Sequence, residues 1–234
     1  MIQPFKKRIQ TWNAIRELKK YAPLLRQDSQ GLGAEDLIAL LYGEKWQRFF
    51  WIKQVRSEIT ALCKIIAQQK PKTVLEIGTA NGGSLFLNTK LAHPEALIIS
   101  LDLPGGRFGG GYPAFKEDFY RSFATQGQKI ALLRADSHHP DSLKKVKDIL
   151  EGRPVDFLFI DGDHTYEGVK ADYTLYSPLV AQNGIIAFHD IAPHPPEWNV
   201  QVDKFWDEVK LGQNYQEIIE NPAQGWAGIG VLFK

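Results

Sequence analysis

The most constraining feature of this sequence is the stretch KTVLEIGTANGGSLFL at residues 72–87. Its first part, TVLEI, has the composition of a parallel strand that is covered on both faces. Gly78, Gly82 and Gly83 follow at once and allow the backbone to turn sharply and to approach a ligand. Ser84 is placed to cap a helix behind them, whose free N–H groups favour a polar or anionic ligand. The stretch therefore predicts the strand, turn and helix of a nucleotide-binding fold.

The spacing of the glycines distinguishes between kinds of nucleotide site. A dinucleotide fingerprint requires GxGxxG, but Ala80 occupies the place of its second glycine. Glu76 stands two residues before Gly78, near the end of the strand, so the pattern is E-x-G-x-x-x-G. Glycines that serve only an ordinary turn are the alternative at this point.

Two further apolar strands run into acids. The strand at residues 96–101 ends at Asp102, about 20 residues after Gly82, where nucleotide folds place an acid for the ribose hydroxyls. A carboxylate suits that position because it can accept hydrogen bonds from both hydroxyls. The strand at residues 130–134 runs into Asp136 and Ser137.

Two loops near these strands contain polar or flexible residues. The loop at residues 104–112 is rich in glycine, and we expect a mobile flap from which Arg107, Phe108 and Tyr112 close over a ligand. Simple disorder is the alternative. In the loop after the third strand, two adjacent histidines have no partner at a defined spacing and are interpreted as surface residues. They are His138 and His139.

The fourth and fifth apolar strands, at residues 155–160 and 184–188, both end in residues that carry chemistry. In an open parallel sheet, residues just past the carboxyl ends of neighbouring strands converge on one crevice. The side chains expected to meet there are Asp161, His164, His189 and Asp190.

Composition excludes several classes of function. A net charge of +1 over 234 residues provides no field that would attract nucleic acid, so a small-molecule substrate fits better. No apolar run reaches the roughly 20 residues that span a bilayer, and the N-terminus lacks a signal-peptide core. The single cysteine, Cys63, is consistent with a reducing compartment. We expect a soluble cytoplasmic protein without a membrane or nucleic-acid partner.

Helical periodicity extends to about residue 69. We therefore divide the chain into an N-terminal helical extension, residues 1–70, and a catalytic domain, residues 71–234. The extension is expected to dock on its own domain or on a second subunit, which would make a homo-oligomer. A basic helix at a membrane surface is the alternative.

Five motifs together identify a family: LEIGTANGG, SLDLPGGRFGGGYP, RADS, FIDGDHTYEGVKADY and GIIAFHDI. The chain from residue 71 onward resembles the class I S-adenosylmethionine (SAM) dependent methyltransferases, in the branch called methyltransferase 24 or cephalosporin hydroxylase-like. The resemblance implies a Rossmann-like α/β fold with a seven-stranded, mostly parallel sheet and helices on both faces. It implies SAM as cofactor and, as activity, O-methylation of a hydroxylated small molecule such as a sugar or natural product.

The resemblance also implies which residues contact the cofactor. They lie along the glycine turn, at the ribose acid, in the loop after the third strand and after the fourth strand. These residues are Glu76, Gly78, Thr79, Ala80, Asn81, Gly82, Ser84, Asp102, Asp136, Ser137 and Asp161.

For catalysis the resemblance implies His164 as general base beside Asp161, and Asp161 with Asp190 as ligands of a divalent metal. The residue before Asp190 is His189, where related enzymes have an acid. A metal held by Asp161, His189 and Asp190 would be Mg²⁺ or Mn²⁺, and the nitrogen ligand shifts preference from Mg²⁺ toward Mn²⁺, Fe²⁺ or Zn²⁺. Independently of the family, methyl transfer to an alcohol requires a base, and a histidine can serve near neutral pH.

Three other functions compete with this interpretation. An NAD-dependent oxidoreductase could use the same fold, although Glu76 and the missing glycine argue against it. A non-haem iron oxygenase could use His164, His189 and one aspartate as its iron ligands. The third alternative is a SAM-binding scaffold without catalysis.

Overall fold

A seven-stranded sheet forms the centre of the computed structural model, which describes residues 3–234, with side chains from residue 10 onward. The strands are β1 (Thr73–Ile77), β2 (Leu97–Asp102), β3 (Lys129–Arg134), β4 (Val155–Ile160), β5 (Val180–His189), β6 (Asn214–Ile218) and β7 (Ile229–Phe233).

The spatial order of the strands is β3-β2-β1-β4-β5-β7-β6. Strands β1 to β5 pair with one another in parallel, whereas β7 runs antiparallel to both β5 and β6. The prediction of a mostly parallel seven-stranded sheet is confirmed. The chain order reverses direction at β1, so the crevice for a ligand lies at the carboxyl ends of β1 and β4.

Helices cover both faces of the sheet. Within the described residues, none of them is long and apolar enough to traverse a membrane. The helices are α1 (Gln3–Asp28), α2 (Ala34–Tyr42), α3 (Glu44–Gln47), α4 (Arg56–Gln69), α5 (Gly83–Leu91), α6 (Glu117–Arg121), α7 (Pro140–Leu150), α8 (Tyr166–Tyr176) and α9 (Val202–Val209).

Each face of the sheet has its own hydrophobic core, because successive side chains of a strand point to opposite faces. Val74 of β1 packs in the cluster that also contains Leu18 and Leu37 from the N-terminal helices. Its neighbour Leu75 packs in the other cluster, with Val169 from α8. The N-terminal helices therefore share a core with the sheet of their own chain.

Two local expectations need correction. Ser84 does not cap a helix, because α5 begins one residue earlier and the cap position belongs to Gly82, which makes no side-chain bond. Strand β5 begins at Val180, before the predicted start at residue 184. Its first residues include the polar, exposed Gln182 and Asn183, so the apolar pattern did not indicate them.

Candidate active site

The carboxyl ends of the parallel strands border two adjoining cavities. The small cavity, about 230 Å³, lies over β1, β2 and β3, and the large cavity, about 620 Å³, extends toward β5. Both are lined by the residues Gly78, Ala80, Arg107, Phe108, Asp161 and His164.

The glycine turn forms the floor between the two cavities. Gly78 has a φ of +92°, and a Cβ there would lie 1.9 Å from the carbonyl oxygen of Asp161. Only glycine allows this contact, so the turn after β1 and the loop after β4 approach each other backbone to backbone. The hydroxyls of Thr79 and Ser100 share a hydrogen bond beneath the turn.

Asp102 joins the glycine turn to the glycine-rich loop. Its Oδ2 accepts hydrogen bonds from the backbone N–H groups of Ala80 and Gly111, both at 3.0 Å. Burial raises the pKa of Asp102, although these backbone donors oppose the shift. Asp102 lines the small cavity together with Asp136 and Ser137 of the loop after β3.

Glu76 lies behind the glycine turn and is fully buried. Its Oε2 accepts a hydrogen bond of 2.8 Å from Asn88 Nδ2 of α5. Burial raises the pKa of Glu76 to about 8. Glu76 is thus placed to fix the turn against α5, and its contact with a cofactor stays a prediction. Other residues of the predicted cofactor set line the large cavity, namely Thr79, Asn81 and Ser84.

The glycine-rich loop places two side chains over the cavities. Phe108 stacks on His164, with ring centroids 4.7 Å apart and ring planes 12° apart, and Arg107 lies beside it. Tyr112 differs from the expectation. It is 3% exposed and packs on Tyr120, because its ring joins the hydrophobic core instead of facing the cavities.

The four polar residues expected to converge after β4 and β5 do meet. His164 Nδ1 lies 2.9 Å from Asp190 Oδ2, and His164 Nε2 lies 3.4 Å from Asp161 Oδ1. His189 Nδ1 lies 3.2 Å from Asp161 Oδ1 and 3.3 Å from Asp190 Oδ1. Two imidazoles and two carboxylates therefore alternate around one small volume.

These contacts shift the ionisation of the cluster. Burial acts to lower the pKa of His164, but its pairs with Asp161 and Asp190 prevail and raise that pKa to about 10. Burial acts to raise the pKa of Asp190, but the charge of His189 and the hydrogen bonds with His164, His189 and His194 together outweigh it and hold this pKa well below its ordinary value. At neutral pH the His164 ring is therefore protonated in this arrangement, so it can accept a proton only after losing its own.

A metal ion has three suitable ligand atoms in this cluster. Asp161, His164 and Asp190 each provide one, and these atoms lie within 4.8 Å of one another. Two carboxylate oxygens and one imidazole nitrogen suit a divalent ion such as Mn²⁺. The group contains His164, whereas the sequence predicted His189 as the nitrogen ligand. The role of His189 as a metal ligand stays a prediction.

Several residues of the large cavity come from segments without a catalytic motif. Gln54 is 6% exposed, and its Nε2 lies 3.2 Å from Asp161 Oδ2. Its Oε1 is buried and has no hydrogen-bond partner in the described part of the chain. Sequence patterns offered no signal for Gln54, because it lies 107 positions before Asp161. The remaining lining includes Trp51, His194, Trp198 and Trp226.

His138 is not a plain surface residue, contrary to the expectation. Its Nε2 lies 3.3 Å from Asp172 Oδ1 of α8, and its ring lines the small cavity. The missed partner is 34 positions away in sequence. The side chain of His139 is 62% exposed, as expected, and accepts a hydrogen bond from the Asp141 N–H at the start of α7.

The fold, the glycine turn and the acids that end β2 and β4 define a Rossmann-like methyltransferase. The family model for the methyltransferase domain Methyltransf_24 matches residues 75–191, and the chain belongs to that family. The prediction that the chain belongs to the methyltransferase 24 family is confirmed.

Individual proteins also resemble this chain. The chain is 25% identical over 167 residues to the uncharacterized protein y4gI of Sinorhizobium fredii, covering 70% of this chain and 17% of that protein. It is 32% identical over 133 residues to the uncharacterized protein R132 of Acanthamoeba polyphaga mimivirus, covering 56% and 55%. The chain thus spans only part of the length of both relatives.

Among solved structures, the O-methyltransferase TomG of Streptomyces achromogenes, involved in tomaymycin synthesis and bound to SAM, superposes with a TM-score of 0.57. The alignment covers 89% of this chain and 94% of TomG at 15% identity. At this identity the similarity establishes the fold.

Proposed function

We propose that the protein transfers the methyl group of SAM to a hydroxyl group of a small molecule, such as a sugar or a natural product. The observation that carries the proposal is the position of His164. Its ring lines both cavities and lies between Asp161 and Asp190. A residue there can contact a molecule in the large cavity while a cofactor fills the small one.

The small cavity fits the adenosyl part of SAM by its chemistry. Asp102 and Asp136 supply carboxylates suited to ribose hydroxyls and to an adenine amino group. Gly78 lets the backbone approach the ligand closely. When bound, SAM supplies an electrophilic methyl carbon on a sulfonium. The carboxylates of Asp161 and Asp190 favour a positive charge nearby.

In the large cavity, the residues around His164 would hold the acceptor. The tryptophans at positions 51, 198 and 226 provide flat apolar surfaces for a ring, and Phe108 restricts water above His164. His164, oriented through Nδ1 by Asp190, would first release the proton that it carries at Nε2 and would then take the hydroxyl proton there as the oxygen attacks. Gln54 keeps Asp161 in position through its amide group.

A divalent metal is a distinct alternative for the same cluster. Asp161, His164 and Asp190 would hold it, and a bound metal ion would lower the pKa of an acceptor hydroxyl. In that case His164 is a ligand and not the base. Metal dependence of the activity separates the two roles of His164.

Two further properties complete the proposal. We place the protein in the cytoplasm, where a buried unpaired thiol such as Cys63 remains reduced. Residues 1–70 act as a helical extension that also contributes Trp51 and Gln54 to the large cavity.

Calorimetric titration tests the proposal without a known acceptor. SAM, S-adenosylhomocysteine and NADH are each added in EDTA and then with Mg²⁺ or Mn²⁺. Micromolar binding of the two adenosyl ligands, with no binding of NADH, is expected. A metal-dependent change in heat would support the Asp161, His164 and Asp190 site. Binding of NADH instead would contradict the proposal, and failure of all three ligands to bind would favour a scaffold.

A further inference from the structure

Asp172 is a buried carboxylate that lies outside the cluster around His164. It belongs to α8, is 0% exposed, and neither of its oxygens accepts a hydrogen bond of regular geometry within the described part of the chain. It lies below the turn after β4, since a Cβ on Gly162 would be 3.4 Å from Asp172 Oδ2. A buried carboxylate is costly unless a cation compensates its charge. Some neighbouring group must therefore stabilise it.

His138 is the group in position to do so. Its Nε2 lies 3.3 Å from Asp172 Oδ1 and 3.2 Å from the carbonyl oxygen of Gly168. Both neighbours are acceptors, so Nε2 carries a hydrogen. The interaction with Asp172 outweighs burial and raises the pKa of His138 to about 9. The ring is half-buried and borders the small cavity.

A second contact fixes the same loop to the same helix. Tyr176, about one turn after Asp172 on α8, donates a hydrogen bond of 2.7 Å from its hydroxyl to the carbonyl of Ser137. The backbone N–H of His138 donates to Asp136 Oδ1 at 2.9 Å. Residues 136–138 are therefore attached to α8 at two points, with Asp136 and Ser137 at the cavity.

We propose that the His138–Asp172 ion pair is a positioning device, which holds residues 136–138 in the conformation that receives the adenosyl part of the cofactor. The inference rests on the proposed function, because it assigns that cavity to SAM. His138 is a positioning residue here, acting through Asp136 and Ser137.

The device makes cofactor binding pH-dependent. The charged groups facing His138 are Asp172 on α8, Asp136 on its own loop and Asp163 in the turn after β4. Because pairing raises the pKa of His138 in the folded protein, its contribution is complete below the ordinary pKa of 6.5 and is lost as pH rises through about 9. Above that pH the carboxylate of Asp172 has no compensating charge.

Calorimetry with S-adenosylhomocysteine at pH 7 to 10 tests the device in the full-length protein. His138→Gln leaves the charge of Asp172 uncompensated. If residues 136–138 then adopt the binding conformation about one-tenth of the time, binding at pH 7 should weaken about tenfold. Adding Asp172→Asn to that variant removes the uncompensated charge and leaves two amides that can hydrogen-bond to each other, so affinity should be restored. Asp172→Asn alone should lose the alkaline decrease of the wild type. Protonation of the ligand itself changes its affinity with pH in the same way for every variant. The pH profile of each variant is therefore compared with that of the wild type.

His139→Asn is the matched control, because it alters the adjacent exposed histidine and keeps a side chain that caps α7. A His138→Gln variant that binds like the wild type would overturn the proposal, as would an alkaline decrease that persists in Asp172→Asn. If a variant fails to fold, NMR titration of the His138 ring in the wild type decides, since a pKa near 6.5 would contradict the pairing. A wild-type protein that binds no S-adenosylhomocysteine refutes the proposed function itself.

Discussion

The imidazole of His164 lies 2.9 Å from Asp190, through Nδ1 and Oδ2. This contact joins the loop after β4 to the end of β5, and it leaves Nε2 on the side of Asp161. The histidine is therefore held in one orientation at the border of the two cavities. Its neighbours on both sides are acids, which explains why its pKa is raised in the folded protein.

Replacing His164 separates binding from turnover. His164→Asn should lower kcat about a hundredfold or more, because proton transfer by a positioned base contributes that much. Affinity for SAM should stay nearly unchanged. The measurement is turnover with an acceptor found by screening hydroxylated small molecules, beside SAM calorimetry. His93→Asn, on the opposite end of the sheet, is the control, and a fully active His164→Asn protein would exclude the histidine as base or ligand.

Asp102 is expected to control cofactor affinity. Asp102→Asn loses the charged acceptor and should weaken S-adenosylhomocysteine binding about ten- to a hundredfold, the usual effect of losing hydrogen bonds to a charged group. Calorimetry gives the dissociation constant. The control is Asp118→Asn, whose side chain is 86% exposed. Equal affinity in wild type and Asp102→Asn would remove Asp102 from the cofactor site.

Gly78 tests the close approach of two backbones. Gly78→Ala should destabilise the protein by about 3 kcal/mol or more, because the new methyl group meets the Asp161 carbonyl and the backbone has a positive φ. Gly152→Ala has a similar φ of +81° with nothing within 4 Å, so it should cost only about 1–2 kcal/mol. Urea unfolding measures both, and equal losses would argue against the steric contact.

Glu76 gives the protein a pH-dependent stability. Its pKa is about 8 when folded and near 4.5 when unfolded, so unfolding releases a proton between these values. Stability is therefore lost as pH rises through that window. Glu76→Gln keeps an acceptor for Asn88 but cannot ionise. Its advantage over the wild type in free energy of unfolding should grow, from about pH 5 to pH 8, by on the order of 1–3 kcal/mol.

Urea unfolding at several pH values measures this difference. The exposed Glu95, changed to Gln, provides the control and should follow the wild type at every pH. An advantage of Glu76→Gln that is constant with pH would show that the Glu76 carboxyl ionises at its ordinary pKa.

Gln54 should matter for turnover more than for cofactor binding. Gln54→Leu has nearly the same size but removes the donor to Asp161 Oδ2, and should lower kcat about tenfold through the misplaced carboxylate. Gln213→Leu, at an exposed position, is the control. Steady-state kinetics with the acceptor found by screening measure this effect. An unchanged kcat would show that Gln54 does not position Asp161 for turnover.

Much of this protein is determined by local sequence. The apolar runs at β1, β2 and β4 predict buried parallel strands, because a strand covered on both faces has apolar residues at nearly every position. The acids that follow those strands converge at one edge for the same topological reason. Asp161, His164, His189 and Asp190 could thus be placed together from their positions at or after the ends of β4 and β5.

Tertiary structure decided the rest. Gln54 reaches Asp161, and Asp172 pairs with His138, across long stretches of chain, and no spacing of residues in the sequence indicates either contact. Tyr112 turned into the core although its loop reaches the cavities. Such contacts depend on how the side chains of the helices pack against the sheet, and this packing is set by the three-dimensional shapes of the contacting surfaces. A pattern of residues along one chain does not contain those distances.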